Sequence, residues 1–362
     1  MDKNSVSANQ LGILTLFMVL GTSLIYLPAL NAGRNGWLAV GLSSIVGFYM
    51  IYLLLSLHKS FPGKDLIAIS EELLGKYLGK FLSLIFLTSI FFVVTLRLYD
   101  LAILMLVIFP LMPYLFVLTV ITLIVVYIAF KGLNIVGRLA EVIMWPTVML
   151  LLISYIAALS IHTLDFANVL PIFVYWKPVF SGFLYSANWP FAELVIFGMF
   201  LPFVKDDMKQ NGRVLYYWLT FAAILLVIRS IITFAVIGAE TVELKRFPFL
   251  EVYKMIDIPG LERIDQFFFF FWFVTAFFAI LLSYQAVAMG TKTLFSLNNY
   301  RSILLPLGLL TIIMTFIFHD NDIIFVNLHS PSVIFYILPI NLLFPTLLLV
   351  MTKIRGPGSK KG

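Results

Sequence analysis

The sequence contains no cysteine, and only 12% of its 362 residues are charged. Without cysteine the chain can form no disulfide, no thiolate metal site and no palmitoyl or lipoprotein anchor. Its four histidines are scattered, so they offer no spacing for a metal site and no cofactor is expected. The sequence also lacks phosphate loops, nucleophile elbows, dinucleotide fingerprints and zinc-protease motifs, so we do not expect an enzyme.

What the chain has in excess is apolar residues, which make up 62% of it, against about 45–50% in soluble domains. Charge-free apolar runs long enough to cross the roughly 30 Å hydrocarbon core recur along its whole length. We therefore expect an integral membrane protein with residues 1–362 in a single polytopic domain. The first apolar run is longer than a signal-peptide core and has no cleavage motif after it, so it is expected to be a retained span.

The apolar runs predict an all-α membrane protein with ten transmembrane helices. Spans 3 and 4 are separated only by a tight turn containing Pro110 and Pro113. The predicted spans cover residues 10–30, 37–57, 81–109, 114–130, 142–160, 180–203, 214–237, 266–289, 302–318 and 333–351.

Lysine and arginine are concentrated at both termini and in the loops after spans 2, 4, 6 and 8. The main exception is the long loop between spans 7 and 8. Because cytoplasmic loops of membrane proteins carry an excess of basic residues, both termini are predicted to be cytoplasmic. Spans 1 and 6 then cross the membrane in opposite directions, as an inverted repeat requires.

Two of the apolar runs contain helix-breaking residues near their middle. Gly21, Thr22 and Ser23 precede Pro28 in the first run, and the sequence from Tyr185 to Asn188 precedes a proline in the sixth. Interrupted helices in corresponding positions of two halves predict a five-plus-five inverted repeat with a binding site between helices 1 and 6. In the alternative interpretation, the small residues only permit close helix packing and Pro28 ends the first helix.

Two loops carry amphipathic stretches that predict short helices. After span 2, Leu66, Ile69 and Leu73 lie on one face of a helix expected to rest in the cytoplasmic interface. After span 7, residues 249–256 predict a short helix lying over the outer vestibule, or else an ordinary solvated loop with one interfacial helix. The aromatic run at residues 267–273 is expected to face lipid at the outer end of span 8.

Three motifs give the chain a family resemblance. They are Phe-Pro-Gly-Lys at residues 61–64, Glu-Glu-x-Leu-Gly-Lys-x-Leu-Gly-Lys at residues 71–80, and Leu-Gly-x-x-Leu-x-x-Leu-Pro at residues 20–28. Together they resemble the B subunits of bacterial spore germinant receptors, permease-like proteins of the amino acid–polyamine–organocation transporter superfamily. The family pattern commonly places a second glycine where this chain has Ser23.

The resemblance implies a multi-pass protein of the inner spore membrane that detects a small nutrient, usually an amino acid. It also implies two partners, a germinant receptor A subunit and a lipoprotein C subunit. The leading hypothesis is thus a nutrient sensor. A proton-coupled amino-acid secondary transporter is the alternative, because it would need the same pocket, and a scaffold without a ligand is a third reading.

The site hypothesis places a ligand between the two interrupted spans. Its carboxylate is expected near free N–H groups of the first break and its ammonium near carbonyls of the second, with side walls from spans 3 and 8. The predicted ligand-binding residues are Gly21, Thr22, Ser23, Leu24, Phe92, Leu96, Tyr185, Ser186, Ala187, Asn188, Thr275 and Phe278.

Four ionisable residues fall inside predicted spans, where an unpaired charge is costly: Arg97, Asp100, Glu193 and Arg229. Arg97 and Asp100 are spaced i, i+3, which permits an ion pair within one helix, although either one could instead contact substrate or relay a proton. Glu193 follows the second break and could take up a coupling proton, or it could bridge to Arg229 or a backbone donor and hold the helix in place. We therefore assign these four residues to ion coupling or gating.

Overall fold

The computed structural model describes residues 5–171, 175–204, 212–256, 264–319 and 334–356. Of the predicted span boundaries, residue 333 lies outside these ranges. The α-helices, numbered in chain order, are α1 Ala8–Leu20, α2 Gly36–Ser60, α3 Leu66–Leu74, α4 Lys76–Ile108, α5 Tyr114–Lys131, α6 Leu133–Ala158, α7 Trp176–Ser186, α8 Arg213–Ile237, α9 Ala239–Val242, α10 Pro248–Lys254, α11 Ile264–Leu294, α12 Arg301–His319 and α13 Ile334–Arg355.

Eight of the described helices are long and apolar enough to cross a membrane. The remaining two crossings are interrupted, which is why neither appears as one long helix. We call residues 8–35, which begin with α1, the first segment, and residues 176–203, which begin with α7, the sixth segment. Together they complete the ten crossings of a multi-pass membrane protein. The tight turn between spans 3 and 4 is confirmed, since α4 ends at Ile108 and α5 begins at Tyr114.

Helix packing reveals a two-fold relation between the halves of the chain. The first segment packs against the seventh crossing, α8, and the sixth segment packs in the same way against the second crossing, α2. The third and eighth crossings, α4 and α11, pack against each other, as do the fourth and ninth, α5 and α12. Exchanging each crossing with the one five places later maps these contacts onto one another, as the five-plus-five inverted repeat requires.

The short helix α3 is held at the same end of the bundle as the first turn of α4. Its N-terminus is capped by Asp65, whose Oδ1 accepts a hydrogen bond of 2.9 Å from the Ala68 N–H. The other carboxylate oxygen, Oδ2, accepts a hydrogen bond of 2.5 Å from the Thr293 hydroxyl at the end of α11. Burial raises the pKa of Asp65, which its hydrogen bonds to Thr293 and Ala68 offset only in part.

The counterpart of α3 in the second half is α10, which follows the seventh crossing. Its apolar residues, among them Phe249 and Tyr253, are buried against α8 and α11. The Tyr253 hydroxyl lies 2.8 Å from the Ser154 hydroxyl of α6. The helix predicted for residues 249–256 is thus present at Pro248–Lys254, and it is anchored instead of being a solvated loop.

The expectation that the aromatic run of span 8 faces lipid is wrong for its central residues. Phe271 and Trp272 are fully buried, while Phe270 is exposed. The Trp272 ring lies 5.7 Å from the Tyr253 ring, centroid to centroid. The side chains of Phe267 and Phe268 lie outside the described part of the chain. The run faces inward here because α10 covers this part of α11. The sequence did not indicate that α10 would be buried there.

We predict that replacing Gly79 with a larger residue forces α3 and α4 apart. A β-carbon on Gly79 would lie 2.7 Å from the Cα of Glu71, and a backbone atom cannot move aside as a flexible side chain can. Gly79→Val should therefore lower the free energy of unfolding by about 1–3 kcal/mol. Tyr77→Val, which places the same residue at a site 90% exposed on α4, should have a much smaller effect.

The measurement is equilibrium unfolding in mixed micelles. Equal stability of the Gly79→Val variant and the unmodified protein would show that α3 does not sit against α4 as described.

Candidate functional site

The first break begins directly after α1. The Gly21 N–H still donates to the Phe17 carbonyl at 2.8 Å, and the chain then leaves the α-helical path. A β-carbon on Gly21 would lie 3.0 Å from the β-carbon of Ala279, so glycine permits the close approach of the first segment to α11. The predicted span 10–30 would continue as an α-helix after the break. In the structure two 3-10 helices follow instead, Thr22–Leu24 and Leu30–Asn35.

The second break lies at the end of α7. A π-helical turn, Ala187–Phe191, follows α7, and a 3-10 helix, Ala192–Met199, continues the crossing. Within the turn Trp189 has an extended backbone, with φ −129° and ψ 114°, and Pro190 has no N–H to donate. Both predicted interruptions are therefore present in the structure.

The two breaks are in direct contact with each other. Trp189 Nε1 of the sixth segment donates to Thr22 Oγ1 of the first segment at 3.1 Å. On the α11 side, Thr275 Oγ1 donates to the Gly21 carbonyl at 3.3 Å. Gly21, Thr22 and Thr275, which were predicted from sequence as site residues, thus lie together where the two segments meet.

Several polar atoms at the breaks have no hydrogen-bond partner among the described residues. They are Ser23 Oγ in the first segment and Ser186 Oγ and Asn188 Oδ1 in the sixth. All three side chains are at least nine-tenths buried. The 3-10 turn Thr22–Leu24 also has no side-chain cap, and the first N–H groups of a helix have no partner within it. Buried polar groups are normally satisfied, so these unpaired atoms at the two breaks fit a polar ligand or ordered water.

The other predicted site residues differ in their surroundings. Leu24 and Ala187 are buried at the two breaks, and Leu96 is half-buried on α4. Phe278 of α11 stacks on Phe17 of α1, with ring centroids 4.4 Å apart. Phe92 makes an edge contact with a phenylalanine ring of α12, the ninth crossing, at 5.9 Å.

A pocket of about 230 Å³ lies next to the breaks, under the loop that joins α8 to α11. The rings of Tyr26 and Trp189, 6.1 Å apart, form its wall toward the breaks, and Tyr185 lies beside them. Lys245 and Arg246 make it electropositive. Burial lowers the pKa of Arg246, but Tyr26, Tyr99 and Asp100 outweigh burial and raise it overall. The lining residues are Tyr26, Leu27, Pro28, Leu30, Asn31, Tyr185, Trp189, Lys245, Arg246 and Pro248.

Sequence reasoning did not find the aromatic wall residues Tyr26 and Trp189. A signal was present for Trp189, because it lies between Asn188 and Pro190 at the break itself. Nothing in the sequence indicated that Tyr26 would reach α4, where its hydroxyl donates to Asp100 Oδ1 at 2.8 Å.

Arg97 is paired with Glu193, a residue 96 positions away in the chain. Both are buried, with 3% and 6% exposure. Arg97 Nη1 also donates to Ser283 Oγ at 2.7 Å and to the Ala279 carbonyl at 3.2 Å. This network ties α4, the sixth segment and α11 together.

These contacts correct two pairings considered from the sequence. The ion pair that the structure shows for Arg97 is formed with Glu193 across the bundle, whereas the sequence had suggested a pair with Asp100 within α4. Glu193 consequently does not bridge to Arg229. Instead, Arg229 Nη2 donates to the carbonyl oxygens of Ser23 and Tyr26 in the first break.

The chain is similar to several known proteins. Residues 5–323 match the model of a family described as spore germination protein. Spore germination protein KB of Bacillus subtilis (strain 168) is 26% identical over 358 residues, which cover 97% of this chain and 95% of the relative. Spore germination protein YndE of the same organism is 22% identical, with 99% of each chain covered, and spore germination protein A2 is 23% identical over 79% of this chain and 80% of the relative.

Among solved structures, the crystal structure of MhsT in complex with L-phenylalanine has a similar fold. The TM-score is 0.73, and the match covers 94% of this chain and 88% of MhsT at 15% sequence identity. At this identity the likeness shows a shared transporter-like fold and says nothing about a shared ligand.

We predict strong coupling between Arg97 and Glu193. Removing one partner of a buried pair leaves an uncompensated charge, so Arg97→Met and Glu193→Gln should each cost about 3–5 kcal/mol of stability. The double variant should lose clearly less than the sum of the two. Lys64 and Glu72, a pair with largely solvated side chains, serve as the control, with a coupling below about 1 kcal/mol.

Double-mutant cycles of unfolding in mixed micelles measure both couplings. Additive losses at Arg97 and Glu193 would contradict the buried ion pair.

Proposed function

The chain belongs to the spore germination protein family, and on this premise we propose that it is the nutrient-sensing membrane subunit of a spore germination receptor. It binds an amino acid or a similar small solute between the first and sixth segments, in the inner spore membrane. Binding shifts the equilibrium between two conformations, and partner subunits read the change. Those partners are a germinant receptor A subunit and a lipoprotein C subunit.

The observation that carries this proposal is the cluster of buried, unpartnered polar atoms at the two breaks. Ser23 Oγ comes from one segment, and Ser186 Oγ and Asn188 Oδ1 come from the other. Leaving a buried polar atom unpaired costs about 1–3 kcal/mol, so a solute that bonds to these atoms would bind with a gain in free energy. A solute held by both segments would also fix their relative position, as a sensor needs.

The chemistry of the cluster fits an amino acid. The uncapped N–H groups of the turn Thr22–Leu24 are suited to a carboxylate. Asn188 Oδ1 and the unwound carbonyls of the π-helical turn accept hydrogen bonds and are suited to an ammonium group. Leu24 and Ala187 add apolar surface, which suits an uncharged side chain. Phe92, which contacts α12, is not needed in this pose.

The buried pair of Arg97 and Glu193 favours a second candidate function, proton-coupled transport of an amino acid. A buried carboxylate one turn beyond the second break is placed to exchange a proton as the helices move, and Arg97 is placed to respond to that change. The two candidates share the binding site and differ in whether the cycle of conformations carries the solute across the membrane.

We predict that Ser23→Ala and Asn188→Ala weaken ligand binding without unfolding the protein. The screen is a thermal-shift series of the purified chain against the common amino acids and sugars, in which a ligand stabilises by RT ln(1 + [L]/Kd). Losing one hydrogen bond to a charged ligand group, worth about 1.5–3 kcal/mol, should raise Kd roughly 10- to 100-fold. The same variants should fail to support nutrient-triggered germination while remaining in the membrane.

Ser89→Ala is the matched control, because Ser89 is also buried but bonds its own helix at Phe86, 2.8 Å away. It should leave both Kd and germination unchanged. If no compound in the screen stabilises the protein, the scaffold interpretation replaces the sensor.

Reconstitution into liposomes separates sensing from transport. A sensor should bind the solute but show no uptake driven by a proton gradient. Uptake that collapses when the gradient is removed, and that is lost in the Glu193→Gln variant, would favour the transporter.

A further inference from the structure

Arg229 is a buried cation without a carboxylate partner in the part of the chain that the structure describes. Its residue exposure is 1%, and none of the described ion pairs includes it. Burying a guanidinium inside a membrane protein costs several kcal/mol unless other groups take the place of water. Some other interaction must therefore compensate its charge.

The compensating groups are backbone carbonyls of the first break. Arg229 Nη2 donates to the carbonyl oxygens of both Ser23 and Tyr26. The ring of Phe249 lies against the other side, with its centroid 5.5 Å from the guanidinium carbon. The positive charge is thus held by oxygen dipoles and an aromatic face.

These carbonyls converge because the helical ladder opens here. The N–H groups of Ile25 and Tyr26 both donate to the Thr22 carbonyl, at 3.1 Å each. Among the described residues, no backbone N–H outside the regular helices donates to the Ser23 or Tyr26 carbonyl. Two oxygens of the same open turn are therefore left for a side chain or an ion.

Converging backbone carbonyls are the oxygen ligands that hard metal cations use in proteins. In folds with interrupted membrane helices, unwound carbonyls of this kind coordinate the coupling cation. The guanidinium of an arginine offers the same positive charge to the same oxygens, but it is covalently attached to the chain and cannot dissociate.

We propose that Arg229 is a built-in cation that occupies an alkali-metal site of the first break, so that this protein holds its break closed without a bound metal ion. The arginine positions the Ser23 and Tyr26 backbone and need not touch the solute. The inference is independent of which solute binds, and its test uses the protein without any solute.

The experiment measures the thermal midpoint of the purified full chain in sodium, lithium, potassium or choline chloride at equal ionic strength. The unmodified protein should show the same midpoint in all four salts. Arg229→Ala should lower the midpoint and make it depend on the cation. Sodium or lithium ions should recover part of the loss, whereas choline, which is too large for the gap, should not.

Ser230→Ala is the matched control on the next position of α8, since its hydroxyl bonds its own helix at Leu226, 2.9 Å away. It should show no dependence on the cation. A higher midpoint of the unmodified protein in sodium than in choline would overturn the proposal, as would an Arg229→Ala variant that ignores every cation.

If the Arg229→Ala variant does not accumulate in the expressing cells, the Arg229→Lys and Arg229→Gln variants are compared instead. The lysine variant keeps a tethered charge and should remain stable in choline, whereas the glutamine variant should require a small cation. Equal stability of the two variants in choline would overturn the inference. Because no solute is present, none of these outcomes depends on whether the protein senses or transports a nutrient.

Discussion

The structure depends on one constraint, the need to satisfy backbone groups that a membrane helix loses when its hydrogen-bond ladder opens. The first segment opens at Gly21, and protein groups take over there. Thr275 donates to the Gly21 carbonyl, and Arg229 donates to the carbonyls of Ser23 and Tyr26. The Ser23 hydroxyl in the same break keeps no hydrogen-bond partner among the described residues.

The buried charges are stabilised in the same way, by protein groups that take the place of water. Each cation inside the bundle has partners on other elements: Arg97 on the sixth segment and α11, and Arg229 on the first segment. An ion pair within one helix would hold only that helix, whereas these contacts fix the positions of interrupted segments that make few helical bonds of their own. The buried charges therefore hold the irregular backbone in position, which regular helix packing alone cannot do.

The sequence predicted the crossings, the two interruptions and both short loop helices, because apolar runs, proline, glycine and amphipathic spacing act locally. It did not predict the contacts between distant elements. The i, i+3 spacing of Arg97 and Asp100 suggested a local pair, but the partner of Arg97 is Glu193. Phe92 was placed at the site by its depth along α4, and the contact of its ring with α12 was likewise not indicated by the sequence. Depth and spacing do not determine which neighbour a side chain meets.

The helix α4 is bonded to both interrupted segments within a single turn. Asp100 accepts the Tyr26 hydroxyl from the first segment at 2.8 Å, and Arg97, three residues earlier, holds Glu193 of the sixth. If the two segments move relative to each other, α4 cannot follow both, so at least one of these bonds must lengthen or break. A solute that draws the segments together or apart would therefore change the bonding of α4 whichever segment moves.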